Sequence, residues 1–68
     1  MKIFAERLKD LRAEKSLSCQ GLGKAIEVSA AAICRWENAM HDIKGEDLVK
    51  LAKFFEVTTD YLLGLADY

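Results

Sequence analysis

The chain has 68 residues, 51% hydrophobic and 31% charged, with a net charge of −1 and no proline. A chain this short buries only about 60% of the surface it exposes when unfolded, so it can build one modest core and not the walls of a deep substrate pocket. Its balance of apolar and charged residues is that of a folded globule rather than a disordered tail; no apolar run approaches the 18 or so residues of a membrane span, and an almost neutral chain does not grip polyanions by bulk charge.

Met1-Lys2-Ile3-Phe4 runs straight into charged residues with no apolar h-region, so no export signal is read and the cytoplasm is the expected compartment. Phe4, Leu8, Leu11 and Lys15 recur at one face of a helix over about 3–15. Ser16-Leu17-Ser18 interrupts it, and Ser18 is suited to cap a second helix over about 19–26, with Leu22, Ala25 and Ile26 on one side. Val28-Ser29 closes that helix and offers Ser29 as the cap of a third, over about 30–39, whose inner stripe is Ile33, Trp36, Glu37 and Met40. Residues 40–45, ending in Gly45, read as a loop. A fourth helix over about 46–55 presents Leu48, Leu51, Ala52 and Phe55, and a short fifth follows, capped by Thr58 and stopped at Gly64. No strand-like alternation, repeat or low-complexity tract interrupts this all-α pattern, and one domain over 1–68 is expected.

Charge is divided along the chain. Residues 1–35 hold seven cations against four carboxylates, giving +3, and residues 36–68 hold three against seven, giving −4. Cys19 and Cys34 are too few for a disulfide scaffold, and with His41 as the single histidine there is no zinc set. Both cysteines are expected as reduced thiols, with no metal and no cofactor. An enzyme is excluded on inventory: no Ser or Cys has a visible base partner, and there is no glycine-rich phosphate loop.

The second helix is barely two turns, and about three residues separate it from the third. Helices joined so tightly must cross steeply, which is helix-turn-helix geometry over about 18–39. Gly23 supplies the small residue such a crossing needs.

Leu17-Ser18-Cys19-Gln20-Gly21-Leu22-Gly23-Lys24, Val28-Ser29, Ile33-Cys34-Arg35-Trp36-Glu37-Asn38, Leu48-Val49-Lys50-Leu51-Ala52-Lys53 and Val57-Thr58-Thr59-Asp60-Tyr61-Leu62-Leu63-Gly64, in this order and at these spacings, resemble the Cro/CI-type (lambda-repressor-like, XRE) helix-turn-helix family over nearly the whole chain. The resemblance implies a compact five-helix module, a cytoplasmic transcriptional regulator that binds double-stranded DNA as a homodimer, its third helix in the major groove. Neither a membrane nor a small-molecule substrate is implied.

By the same resemblance, Ser29, Ala30, Ala31 and Arg35 match base-reading positions. Arg35 can pair two-pronged with guanine, while the alanines can only touch thymine methyls. Ser18, Cys19, Gln20, Lys24, Asn38 and Lys44 match phosphate contacts, the first three at a helix end whose free amides favour anions. Arg12 and Glu37 match an internal ion pair. Phe54, Thr59, Tyr61, Leu62 and Leu65, with Tyr68 beyond them, are the candidate dimer surface. The chain departs from the family pattern at Cys19, where relatives carry glutamine, at Glu27, where they carry glycine, and at the two alanines of the reading face. Two functions stay open: a DNA-binding regulator, and a module that keeps the fold but works through protein partners.

Overall fold

The structure, a computed structural model, describes residues 2–39 and 43–67. Five helices follow in chain order: α1 (Lys2–Glu14), α2 (Cys19–Ile26), α3 (Ala30–Glu37), α4 (Gly45–Phe55) and α5 (Thr59–Leu63). Among the described residues there is no strand, and no helix is long and apolar enough to cross a membrane. The expectations for Met40, His41 and Tyr68 lie outside the described residues.

Three hydroxyls start helices. Ser18 Oγ accepts from the Gly21 amide at 2.9 Å, Ser29 Oγ from Ala32 at 3.1 Å, and Thr58 Oγ1 from Tyr61 at 3.0 Å. Each thereby satisfies one orphan donor of a first helical turn, a contribution of about 1 kcal/mol per cap. The stops follow another rule. Ser16, Glu27, Ala39 and Glu56, beyond α1 to α4, all take positive φ between 54° and 62°, and a glycine does so only at Gly64 after α5. Left-handed backbone costs a non-glycine residue roughly 1–2 kcal/mol. Glu27→Gly is therefore expected to raise stability by up to about 1 kcal/mol, the relief being partly offset by glycine's freer unfolded chain; urea unfolding of the two proteins measures it.

Phe4, Leu8, Leu22, Ile33, Leu51 and Leu62 are fully enclosed at the centre, with Ile26, Trp36, Ala52 and Phe55 completing the core. Every helix contributes, so α2 and α3 are backed by α1, α4 and α5 rather than by each other alone. Gly23 is buried where α2 meets the turn into α3. A Cβ built there lies 2.3 Å from the Val28 carbonyl oxygen, which leaves room for hydrogen only.

Several expectations are corrected. Ala25 is exposed, because the crossing of α2 over α3 turns the Leu22, Gly23 and Ile26 face inward and leaves Ala25 beyond its edge. Leu62, expected on the dimer surface, points from the α5 turn into the core, and no part of it reaches solvent. Gly45 is not loop but the first residue of α4, with Lys44 as an extended N-cap at ψ 149°. The third helix ends at Glu37, where the Asn38 side-chain amide donates to the Cys34 carbonyl at 2.8 Å and Ala39 turns left-handed.

Candidate nucleic-acid interface

A reading helix must be held rigidly from behind. Glu37, on the inner face of α3, is only 8% exposed. Arg12 from α1 meets it with two parallel bonds, Nε to Oε2 at 2.6 Å and Nη2 to Oε1 at 2.9 Å, and donates a third from Nη1 to the Leu17 carbonyl at 2.8 Å. One guanidinium thus ties α1, the α1–α2 turn and α3 together. The bonded carboxylate holds Arg12 above its ordinary pKa, against the opposite pull of burial. No buried side-chain nitrogen or oxygen among the described residues lacks a partner.

With Ile33, Trp36 and Glu37 turned inward, the opposite side of α3 is outward. Ala31 and Arg35 are exposed and lie one turn apart, and Ala30 is half-buried beside them. Arg35 forms no ion pair among the described residues. Ser29 Oγ accepts from Ala32, so its hydroxyl proton and one acceptor lone pair remain for an outward partner. The face therefore offers one strong bidentate donor, one hydroxyl and a methyl surface.

The flanking groups divide. Gln20, Lys24 and Lys44 are exposed, and the Cys19 and Gln20 amides sit in the first turn of α2, where no intrahelical acceptor exists. Ser18 is committed to capping, and the Asn38 amide to the Cys34 carbonyl, leaving its side-chain oxygen available. Cys19 is turned partly inward, its Sγ 3.4 Å from the Sγ of Cys34, so its thiol lies against α3 rather than in the place of an outward-reaching side chain.

The candidate dimer residues are not one surface of equal kind. Leu65 is 74% exposed, and Ile3, Val49 and Leu63 are further exposed apolar groups that spacing did not single out. Phe54 is half-buried, edge-on to Phe55 with ring centroids 5.0 Å apart, and Lys15 Nζ lies 5.6 Å above its ring. Tyr61 is half-buried beneath Arg7, whose guanidinium lies 4.3 Å from the ring centroid. Arg7 also donates to the Tyr61 carbonyl and, at 2.6 Å, to that of Ala66, fastening the end of the chain to α1. Nothing in the sequence pointed to Arg7, since its hydrogen-bond acceptors are backbone carbonyls.

A tightly joined helix pair with a capped, outward second helix, buttressed by three others and by a part-buried ion pair, defines the lambda-repressor-like class of helix-turn-helix domain. A family model described as "Helix-turn-helix" matches residues 8–62, and the chain belongs to that family, of Cro/CI type. It is 40% identical over 61 residues to the HTH-type transcriptional activator BcrR of Enterococcus faecalis, an alignment that covers 90% of this chain and 30% of that protein. It is 34% identical over 61 residues to repressor protein C2 of Salmonella phage P22, covering 90% of this chain and 28% of the repressor. The chain thus spans less than a third of the length of either relative. Among solved structures it superimposes with a TM-score of 0.88 and 32% identity on the P22 c2 repressor in complex with a synthetic operator, covering 97% of this chain and 100% of that one. The solution structure of the P22 c2 DNA-binding domain gives a TM-score of 0.82 at 32% identity over 97% of this chain and 90% of that one. These relatives are transcription regulators rather than enzymes.

Proposed function

We propose that this chain is the DNA-binding domain of a transcriptional repressor, docking as a homodimer with α3 in the major groove. The observation that carries this reading is the whole-length likeness to a repressor solved on its operator, at a TM-score of 0.88. Arg35 reads one base, Ser29 adds a hydroxyl donor, and Ala30 and Ala31 lie against thymine methyls. The first turn of α2, from Ser18 through Cys19 to Gln20, receives a phosphate on its backbone amides, and Lys24, Asn38 and Lys44 flank it. Most of the affinity comes from phosphates and little from base edges, because two of the four reading positions carry only methyl groups.

Arg35→Ala is expected to weaken operator binding by about 1–3 kcal/mol and to flatten preference at one base position. Lys44→Ala is expected to weaken every sequence alike and to lower the salt slope by about one unit. Binding isotherms on operator and scrambled duplexes across a salt series measure both. A chain with no affinity for any duplex at low salt would instead be a fold kept for protein contacts, a reading favoured by the net charge of −1, the alanine face and Cys19, where relatives carry glutamine.

The dimer is assigned to Phe54, Thr59, Tyr61 and Leu65, with Leu63 beside them. Two copies of α3 about one helical turn of DNA apart require a two-fold axis, and an axis needs apolar surface not spent on the core. The acidic charge of this half opposes pairing, but salt screens it beyond ~10 Å. Leu65→Asp is the cleaner probe, since Leu65 is 74% exposed while Tyr61 carries the Arg7 contact. Sedimentation at about 100 µM should show a dimer for the wild type and a monomer for Leu65→Asp. A wild-type monomer removes this surface from the proposal.

A further inference from the structure

We propose that Cys19 and Cys34 are a two-electron oxidation site, forming a reversible intramolecular disulfide that ties the first turn of α2 to α3. The two sulfurs already touch: the Cys34 thiol donates to Cys19 Sγ at 3.4 Å, across 15 residues of sequence. A disulfide needs about 2.05 Å, so the sulfurs have to close by only about 1.4 Å. Both cysteines are free thiols, Cys34 exposed and Cys19 half-buried. No group of three or more metal-ligating side chains occurs among the described residues, so the pair is not part of a metal cluster there.

The surroundings assign the two sulfurs different parts. Burial, and the hydrogen bond from Cys34, hold the Cys19 thiol above its ordinary pKa. Cys34 faces solvent and meets the oxidant first. Around Cys19 the Glu37 carboxylate opposes ionisation more than the Arg12 guanidinium favours it, which leaves Cys19 the less ready of the two to react first.

With a hydroperoxide as the oxidant, the ionised Cys34 sulfur attacks one peroxide oxygen. The O–O bond breaks, Cys34 becomes a sulfenic acid, and the departing oxygen leaves as water after taking a proton. Cys19, having lost its proton, then attacks the sulfenic sulfur. The S–S bond forms, the S–O bond breaks, and the second oxygen leaves as water. Two thiols have lost two electrons and two protons, and hydrogen peroxide has become two waters. A dithiol reductant reverses the change by exchange.

The cross-link joins the two helices whose crossing defines the motif, and it closes a loop that contains the left-handed turn at Glu27. It restricts the unfolded chain while asking little of the folded one, so the oxidised protein is the more stable form.

The test is oxidation of the full chain by hydrogen peroxide at low protein concentration, read by mass spectrometry without reductant. The intact mass is expected to fall by about 2 Da, for two hydrogens lost, and to recover with dithiothreitol. Trypsin cuts after Lys15, Lys24 and Arg35, so peptides 16–24 and 25–35 should travel together until reduced. The melting temperature should rise by on the order of 10 °C on oxidation. Cys19→Ser and Cys34→Ser should each lose the linked peptides and the rise. Oxygen added to one sulfur without linked peptides, covalent joining of two chains instead, or a melting temperature that falls on oxidation would overturn the proposal, and the wild type alone decides among these.

Discussion

Arg12→Ala is expected to cost about 3–5 kcal/mol, because it strands a carboxylate that the fold keeps from water. The Glu37 side chain is 6% exposed and that of Arg12 22%, so the carboxylate is the better shielded of the two. Domains of ordinary size are stable by only about 5–15 kcal/mol, and one this short belongs at the lower end. Arg12→Ala should therefore keep at most about 2 kcal/mol of stability and, at the upper end of that cost, lie near its unfolding midpoint at room temperature. The two halves of the pair are not equivalent. Glu37→Ala leaves a guanidinium that still reaches solvent and still holds the Leu17 carbonyl at 2.8 Å, so its cost should be smaller. Replacing both, as Arg12→Met with Glu37→Leu, should recover most of the loss, since neither charge is then buried alone. Urea unfolding of the four proteins measures all of this. An Arg12→Ala protein within about 1 kcal/mol of wild type would place the pair among surface salt bridges of little worth.

Where the sequence was legible, a side chain carried its own partner rule. Ser18, Ser29 and Thr58 announce helix starts because a hydroxyl before an apolar stripe accepts a first-turn amide. Leu22, Ile26, Ile33 and Trp36 announce the inner faces through their spacing. The helix-turn-helix could be read because a two-turn helix so close to the next has few ways to cross it, and the lambda-repressor-like family only from the resemblance of the ordered segments between Leu17 and Gly64. Helix ends were legible in part: α2 and α4 stop at Ile26 and Phe55 as the spacing expects, while α3 stops at Glu37, short of the expected 39. Glu27, Ala39 and Glu56 take left-handed backbone without a glycine, as packing overrides a cost of about 1–2 kcal/mol.

A helix shorter than two turns hides its inner face. Five residues of α5 are too few for a face to emerge from spacing, and only the packing of α5 on α1 and α4 shows that Leu62 points inward. At the candidate interface the sequence singled out Arg35 and the amide end of α2. It did not anticipate that Cys19 turns inward to meet Cys34, a contact set by the crossing angle of two helices.

Gly23→Ala is expected to disturb that crossing, because Gly23 lies where α2 meets the turn into α3. In an open helical position this change is favourable, by about 1 kcal/mol of helix propensity. Gly45, at the start of α4, is such a position, with nothing within 4 Å of an added Cβ. Gly45→Ala should accordingly stabilise by about 0.5–1 kcal/mol. At Gly23 the same methyl meets the Val28 carbonyl oxygen at 2.3 Å, and the Ala30 nitrogen at 3.4 Å. Neither is a side chain that can swing aside, and the Val28 amide is itself bonded to the Gly23 carbonyl at 2.8 Å, which holds the two segments together. Relief requires α2 and the turn to part, which breaks that bond and loosens Leu22 and Ile26 in the core. Overpacking of this kind costs about 1–3 kcal/mol beyond the propensity gain, the upper end being expected where backbone is struck. The folded fraction that remains carries a wider α2–α3 crossing, so the α2 amide end and Arg35 no longer hold the spacing proposed for one DNA backbone and groove. Urea unfolding with operator binding on the same samples separates the two effects. If Gly23→Ala matches Gly45→Ala in stability, the close approach at Val28 does not constrain the motif.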